Sequence, residues 1–353
     1  MQTTKSKFLS SCAVALAALF ATSALAATVD GGGAAPATFQ PAPAAQASES
    51  QVVLATRVVE SAAAYAGYMD RAGAIKADYV NGQGVQNALK VGQAFEAKQL
   101  QQGMIAYAAL VALRDPAFVN QLRVYAADPR MRDAIAANLL ADPNYVAAIP
   151  GVDSAAGLVV GALNAQGSRV KAAGVAVKQS AYDIQHQKWS LATVANREGR
   201  LIEAKAVSST PLVISEAERS RVIALPTSQS ALQTGPIPGP YTPSVAKGLA
   251  LAALAVLGKA GEDNVQQVSF LLVNPTDGFC FNMSKLNLYQ CLSVAKPHYE
   301  DVFCLGQHIL LDTAQCVMKS AGTPFSNAPL AASVVTASSP VAAASASNPL
   351  TRQ

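Results

Sequence analysis

The sequence predicts an all-α protein: a multi-helix array or bundle that ends in a disulfide-linked helical hairpin and is flanked by disordered termini. Three observations lead there. Alanine fills 71 of the 353 positions while aromatics make up only 6%; alanine has the highest helix propensity, so the chain favours helices packed at close range. Apolar residues recur near the 3.6-residue period through most of the interior. Four cysteines follow residue 279 in two similar units. With 51% hydrophobic and 14% charged residues, the chain is too apolar to be disordered throughout. Its 23 glycines cannot supply a collagen repeat.

Residues 1–26 read as a secretory signal peptide. Lys5 and Lys7 form a positive start, Cys12 to Phe20 an apolar core, and Ala24-Leu25-Ala26 a small-residue cleavage site. The apolar stretch is too short for a membrane anchor. It also follows Cys12 rather than preceding it, which excludes a lipoprotein cleavage box. Loss of Lys5 and Lys7 lowers the formal charge from +4 to +2, and no basic run follows, so nucleic acid is not an expected partner. Nor does an apolar span of roughly 20 residues remain to cross a membrane. The expected location is periplasmic or secreted.

Residues 27–50, with Gly31-Gly32-Gly33 and Pro36, Pro41 and Pro43, predict a flexible linker. A helical domain is expected over 51–233. Val52, Val53, Thr56, Val59, Ala63 and Tyr65 start its first helix, and Asn81-Gly82-Gln83-Gly84 reads as a turn. A second run over 85–113 carries Leu89, Phe95, Leu100, Met104, Tyr107, Leu110 and Val111, with Gly92 and Gly103 marking interruptions or tight helix contacts. Asp-Pro then occurs three times, at Asp115-Pro116, Asp128-Pro129 and Asp142-Pro143. Aspartate accepts orphan backbone N–H groups at an N-cap, and proline suits the first helical position, so three short helices joined by tight corners follow.

Residues 165–207 lack proline and carry a stripe from Val170 to Ala204. They predict one long helix, or two broken near Asn196–Gly199. Trp189, the only tryptophan, reads as a core or interface anchor. Ser215 and Glu218 form a capping box for a short helix to about Leu225. The Pro/Gly linker 234–243 follows, because three prolines in Gly235-Pro236-Ile237-Pro238-Gly239-Pro240 exclude a helix. A helical cysteine-containing subdomain is expected over 244–320, entered by a buried helix at 245–257. The tail 321–353 is Ala, Ser, Thr and Pro with Arg352 as its single charge after Ala321, and is expected to be disordered.

Residues 279–317 hold an internal duplication. Phe279-Cys280 leads to Gln290-Cys291-Leu292, and Phe303-Cys304 leads to Gln315-Cys316-Val317 with one residue more. An even cysteine set in an exported chain points to disulfides, with three pairings open. On a helix, cysteines eleven apart are separated by about 16 Å and cannot bond to each other. An antiparallel hairpin broken at Pro297 pairs Cys280 with Cys316 and Cys291 with Cys304, although the spacing of twelve in the second arm turns one cysteine about 100° further round. In geometry alone this resembles the twin-cysteine helical hairpins. The competing reading is a metal site on Cys304 and His308, four residues apart on one helical face, with His298 nearby.

No catalytic, cofactor-binding or metal-binding residues are assigned. The sequence has no Gly-x-Ser-x-Gly, His-Glu-x-x-His, Walker loop or haem-attachment motif. His186 reads as a solvated residue, and Glu216/Glu218, Glu262/Asp263 and Glu300/Asp301 as helix-start or loop charges. The expectation is a structural or protein-binding module of a bacterial cell envelope, with an envelope protein or cell-wall component as partner. The alternatives are an envelope hydrolase using carboxylates, or a small-ligand or metal-binding periplasmic protein.

Overall fold

The computed structural model describes residues 52–224 and 235–326, whose regular structure is helical apart from one isolated bridge between Thr193 and Pro297. The signal peptide, the 27–50 linker and the tail beyond residue 326 lie outside the described residues. Helix α1 (Thr56–Gly73) starts past the exposed Val52 and Val53. Asn81-Gly82-Gln83-Gly84 is a helix start as well as a turn. The Asn81 side chain accepts the Gly84 N–H at 2.9 Å, and α2 (Gly82–Gln93) begins there. The 85–113 run divides at Ala94–Glu96, where Glu96 caps α3 (Ala97–Ala112) by accepting the N–H groups of Lys98 and Gln99.

Gly103 is a tight contact: a Cβ there would lie 2.3 Å from the Ser61 carbonyl oxygen, so glycine lets α3 settle on α1. Thirteen of the sixteen α3 residues are buried, and α3 forms the centre of the fold, between α1, α6 and α10.

All three Asp-Pro pairs act as caps. Asp115 accepts from Phe118, Asp128 from Arg130 and Asp142 from Asn144. The first two start α4 (Pro116–Ala127) and α5 (Pro129–Ala141), but the third starts only a 3₁₀ segment, Pro143–Ala148. Pro150 is the reason: it forces Ile149 to extended backbone, at φ −86° and ψ 121°.

Gly151 then turns the chain at φ 85° into α6 (Val152–Ile184), a 33-residue helix. The long helix therefore begins and ends earlier than the 165–207 stripe suggests. It runs unbroken through Gly174, where a Cβ would lie 2.9 Å from the Leu311 side chain. The break falls at 185–196, around the single turn α7 (Lys188–Leu191); Asn196, at φ 48°, then caps α8 (Arg197–Ser209). Trp189 packs partly buried against the core, with its ring 6.3 Å from that of His298. The Ser215–Glu218 capping box starts α9 (Glu216–Ile223).

Of the Pro/Gly segment, the described part is fastened to the start of α6. The Ile237 N–H donates to the Asp153 carbonyl at 2.9 Å, and the Tyr241 hydroxyl to the Asp153 carboxylate at 2.6 Å. Beyond it, α10 (Pro243–Val256) is buried on nearly every side, with residues from both sides of the segment in one hydrophobic core. A short turn, α11 (Val265–Val268), leads to α12 (Pro275–Val294), the first arm of the hairpin. The second arm is a continuous helix made of α13 (His298–Cys304), a π-helical stretch at Leu305–Leu311, and α14 (Asp312–Ser320). This arm lies along α6.

Candidate functional site

Both disulfides close between the two arms. Cys280 joins Cys316 and Cys291 joins Cys304, with Cα separations of 5.8 and 5.6 Å, inside the range an unforced bridge requires. The pairs are nested, as an antiparallel hairpin demands. The extra residue of the second arm is taken up by the π stretch, since a π turn holds about one residue more than an α turn. Cys304 and Cys316 therefore face the same way despite a spacing of twelve, and the 100° mismatch does not arise.

The arms differ in what they bury. On α12 the inward residues are Asp277, Phe281, Ser284, Lys285, Leu288 and Leu292. At about 100° per residue, the opposite face presents Phe279, Met283, Leu286, Gln290 and Val294. Phe279 is 68% exposed, Met283 36%, Leu286 49% and Val294 71%. Its only two charges, Asp277 and Lys285, point in beside Phe281, Leu288 and Leu292, while the exposed side mixes Phe279, Met283, Leu286 and Val294 with Asn282, Gln290 and Ser293. The cysteines lie on the flank between these faces, so the disulfides fix the direction of the exposed side.

The inward polar groups are satisfied. Asp277 accepts from Ser244 and, at 2.7 Å, from Ser320, and Asn274 donates to both Ser244 and Asp277 at 2.9 Å. Burial pushes the Asp277 carboxyl up, against the pull of these hydrogen bonds. Ser284 donates to the His308 carbonyl at 2.8 Å. Lys285 donates to the Ser208 carbonyl with its ammonium 4.8 Å from the Phe95 ring centre, and burial pushes it down to about 8. These groups join α12 to its neighbours.

Each disulfide also lines a cleft. Near Cys280–Cys316 a cleft of about 350 Å³ is lined by Asp277, Phe279, Met283 and Lys319 among others; no histidine lines it. Near Cys291–Cys304 a cleft of about 340 Å³ gathers Tyr182, Tyr299, Phe303, Val294 and Glu300. Each contains one carboxylate. A third cleft, of about 500 Å³, holds Glu60 and Glu96, but Glu60 pairs with Arg219 at 2.9 Å and both Glu96 oxygens cap α3. Those acids are committed to structure.

The remaining candidates are dispersed. Cys304 is held in its disulfide, so it offers His308 no thiolate partner; His308 faces Asp312 at 3.6 Å. His186 is exposed. Glu218 caps α9 and pairs with Arg71, Glu216 pairs with Arg219, Glu262 accepts the Thr56 N–H, and Glu300 accepts the Lys296 N–H. Asp301 departs from the helix-start reading: it is fully buried, paired with Arg200 and held by Gln86 at 3.0 Å. Burial pushes its carboxyl up, and the Arg200 guanidinium opposes that.

The sequence places Asp301 among helix-start or loop charges and Phe279 in the cysteine unit, but shows neither the burial of Asp301 nor the exposed apolar side chains of α12. Those side chains had a sequence signal, the spacing of Phe279, Met283 and Leu286, which the cysteines overshadow. Among the described residues no helix is long and apolar enough to cross a membrane. No family model, no curated protein and no solved structure matches the chain.

Proposed function

We propose that this chain is an exported protein-binding module of a bacterial cell envelope, periplasmic or secreted, that engages its partner through the outer face of α12. The exposed apolar side chains at Phe279, Met283 and Leu286 carry the reading. They follow one another at steps of four and three on the exposed side of α12, and neighbouring exposed apolar side chains mark interaction sites. The disulfides support export, because such bonds persist in oxidising compartments, as does the signal-like segment at residues 1–26.

The test is a photo-crosslinking residue at position 286 of the full chain, produced in a bacterium that exports it. The expected outcome is a covalent protein adduct in the envelope or secreted fraction, and none from the same residue at the exposed Val124. A chain retained in the cytoplasm with free thiols, or equal results at both positions, overturns the reading.

A second reading rests on the cleft beside Cys291–Cys304, where three aromatic rings surround an apolar space of about 340 Å³ suited to a small apolar ligand. Trp189, on a turn that packs against α13, gives an intrinsic fluorescence readout. An apolar dye that shifts this emission, and loses the effect in Phe303→Ala, supports it; no shift removes it.

A further inference from the structure

We infer that the cleft beside Cys291–Cys304 selects neutral apolar compounds that carry a hydrogen-bond donor, a phenol in the simplest case, and that Glu300 is the residue that selects them. The inference rests on the second reading of that cleft, as a small-ligand site, and names the ligand class. Three observations carry it. First, the cleft is built in advance. Its walls come from α6, α12 and α13, and the disulfide ties α12 to α13, so little order has to be imposed when a ligand enters. Its volume of about 340 Å³ lies at the small end of the range for ligand pockets.

Second, the walls suit a ring. The rings of Tyr182 and Phe303 stand nearly perpendicular, at 77° with their centres 6.2 Å apart, and Tyr299 and the disulfide also line the space. A ligand ring can meet the aromatic walls edge to face and lie against polarizable sulfur.

Third, the charges in and around the cleft favour one class. Among the described residues, Glu300 is the only charged side chain in the lining. Its Oε2 accepts the Lys296 N–H at 2.7 Å, which holds the carboxylate at the wall. There it accepts from a ligand donor and repels an anion. Cations stand against the lining residues without lining the cleft themselves. The Lys178 Nζ lies 5.6 Å from the Phe303 ring centre and donates to Gln307 at 2.7 Å, and Arg197 donates to the Ala295 and Ser293 carbonyls. Lys296 is exposed at the same end. These groups oppose a ligand cation. A neutral ligand meets neither repulsion, and a donor facing a carboxylate makes a stronger hydrogen bond than one between neutral groups.

The test is equilibrium dialysis of the oxidised, exported protein against four probes substituted at the same ring position: naphthol, methylnaphthalene, naphthoate and naphthylmethylammonium. Naphthol should bind about tenfold more tightly than each of the others. An apolar cleft with no working acceptor would prefer methylnaphthalene, which gains more on leaving water. Glu300→Gln keeps an acceptor for the Lys296 N–H and should cut the naphthol preference to below about threefold, with the melting temperature unchanged. Tyr182→Ala, at a half-exposed position, should weaken every probe. Methylnaphthalene bound as tightly as naphthol, or more so, overturns the inference and keeps the reading of the cleft as an apolar site. Tightest binding of either ion, a naphthol preference that survives Glu300→Gln, or binding untouched by Tyr182→Ala also overturns it. No binding of any probe removes the inference and the small-ligand reading together.

Discussion

Lys285 shows how one buried charge leaves a trace in the stability of the whole chain. Its folded-state amine is pushed down to about 8 by burial, against the attraction of Glu96, whereas an unfolded lysine titrates near 10.4. Between those values the unfolded chain holds a proton that the folded chain has shed, so stability rises with pH across the window. Unfolding in urea should show a gain of about 1–2 kcal/mol from pH 8 to 9.5, absent in Lys285→Met; an equal slope in both proteins would contradict it. Above about pH 10 the sign reverses. Burial holds Tyr65 and Tyr68 well above the usual phenol range, so the unfolded tyrosines lose protons first and stability falls.

Gly103 gives a second test at the same scale. Gly103→Ala drives a methyl against the Ser61 carbonyl and the Tyr65 Cβ, at 2.3 and 2.7 Å, and should destabilise by about 1–3 kcal/mol. Gly278→Ala meets nothing within 4 Å and should be neutral or slightly stabilising in the same denaturant titration. Equal effects at the two positions would remove the close-contact account.

At the scale of the element, the hairpin depends on one π stretch. Deleting Gln307 returns the second arm to a spacing of eleven and should let a plain α-helix form with both disulfides intact. Deleting Asn287 from α12 shortens the spacing of its cysteines from eleven to ten and should turn one of them off the flank, giving scrambled pairs. Non-reducing peptide maps distinguish these outcomes. Mispairing in the Gln307 deletion would show that the π stretch has another role. Replacing Cys291 and Cys304 together should cost about 3 kcal/mol, and Cys280 with Cys316 about 4 kcal/mol, from the sequence separations of 13 and 36 that they close.

Local chemistry was legible at this scale. The three Asp-Pro caps, the capping box at Ser215 and the antiparallel layout of the cysteines follow from hydrogen-bonding and periodicity rules that need no tertiary information. Boundaries set by packing were not. The break at 185–196 carries no proline, and Gly174 looks like a weak point until Leu311 is seen against it. The burial of Asp301 is equally silent in sequence, because its partner Arg200 lies 101 residues away.

For the whole molecule, abundant alanine acquires a specific meaning. Around α3 and α10 it allows helices to approach closely, so that residues from Ala55 to Ala321 share one core. The larger side chains left over are few, and α12 places four of them, Phe279, Met283, Leu286 and Val294, on the surface. All-helical architecture was readable from composition and period. The exposure of those four was not, because which side of an evenly apolar helix faces inward is decided by the neighbours it meets. Here Ser208, Ser244, Thr313 and Ser320 supply partners for Lys285, Asp277 and Ser284, holding those groups inward beside Phe281, Leu288 and Leu292.

The disulfides join the three scales: they set which way α12 faces, define the hairpin and support the proposed export. The most direct test is therefore a non-reducing peptide map of the protein recovered from the envelope or culture medium of cells that express it. The account predicts a chain beginning at Ala27, with Cys280 linked to Cys316, Cys291 linked to Cys304 and no free thiol. Reduced cysteines in a chain that keeps residues 1–26, or bonds between any other pairs, would contradict it.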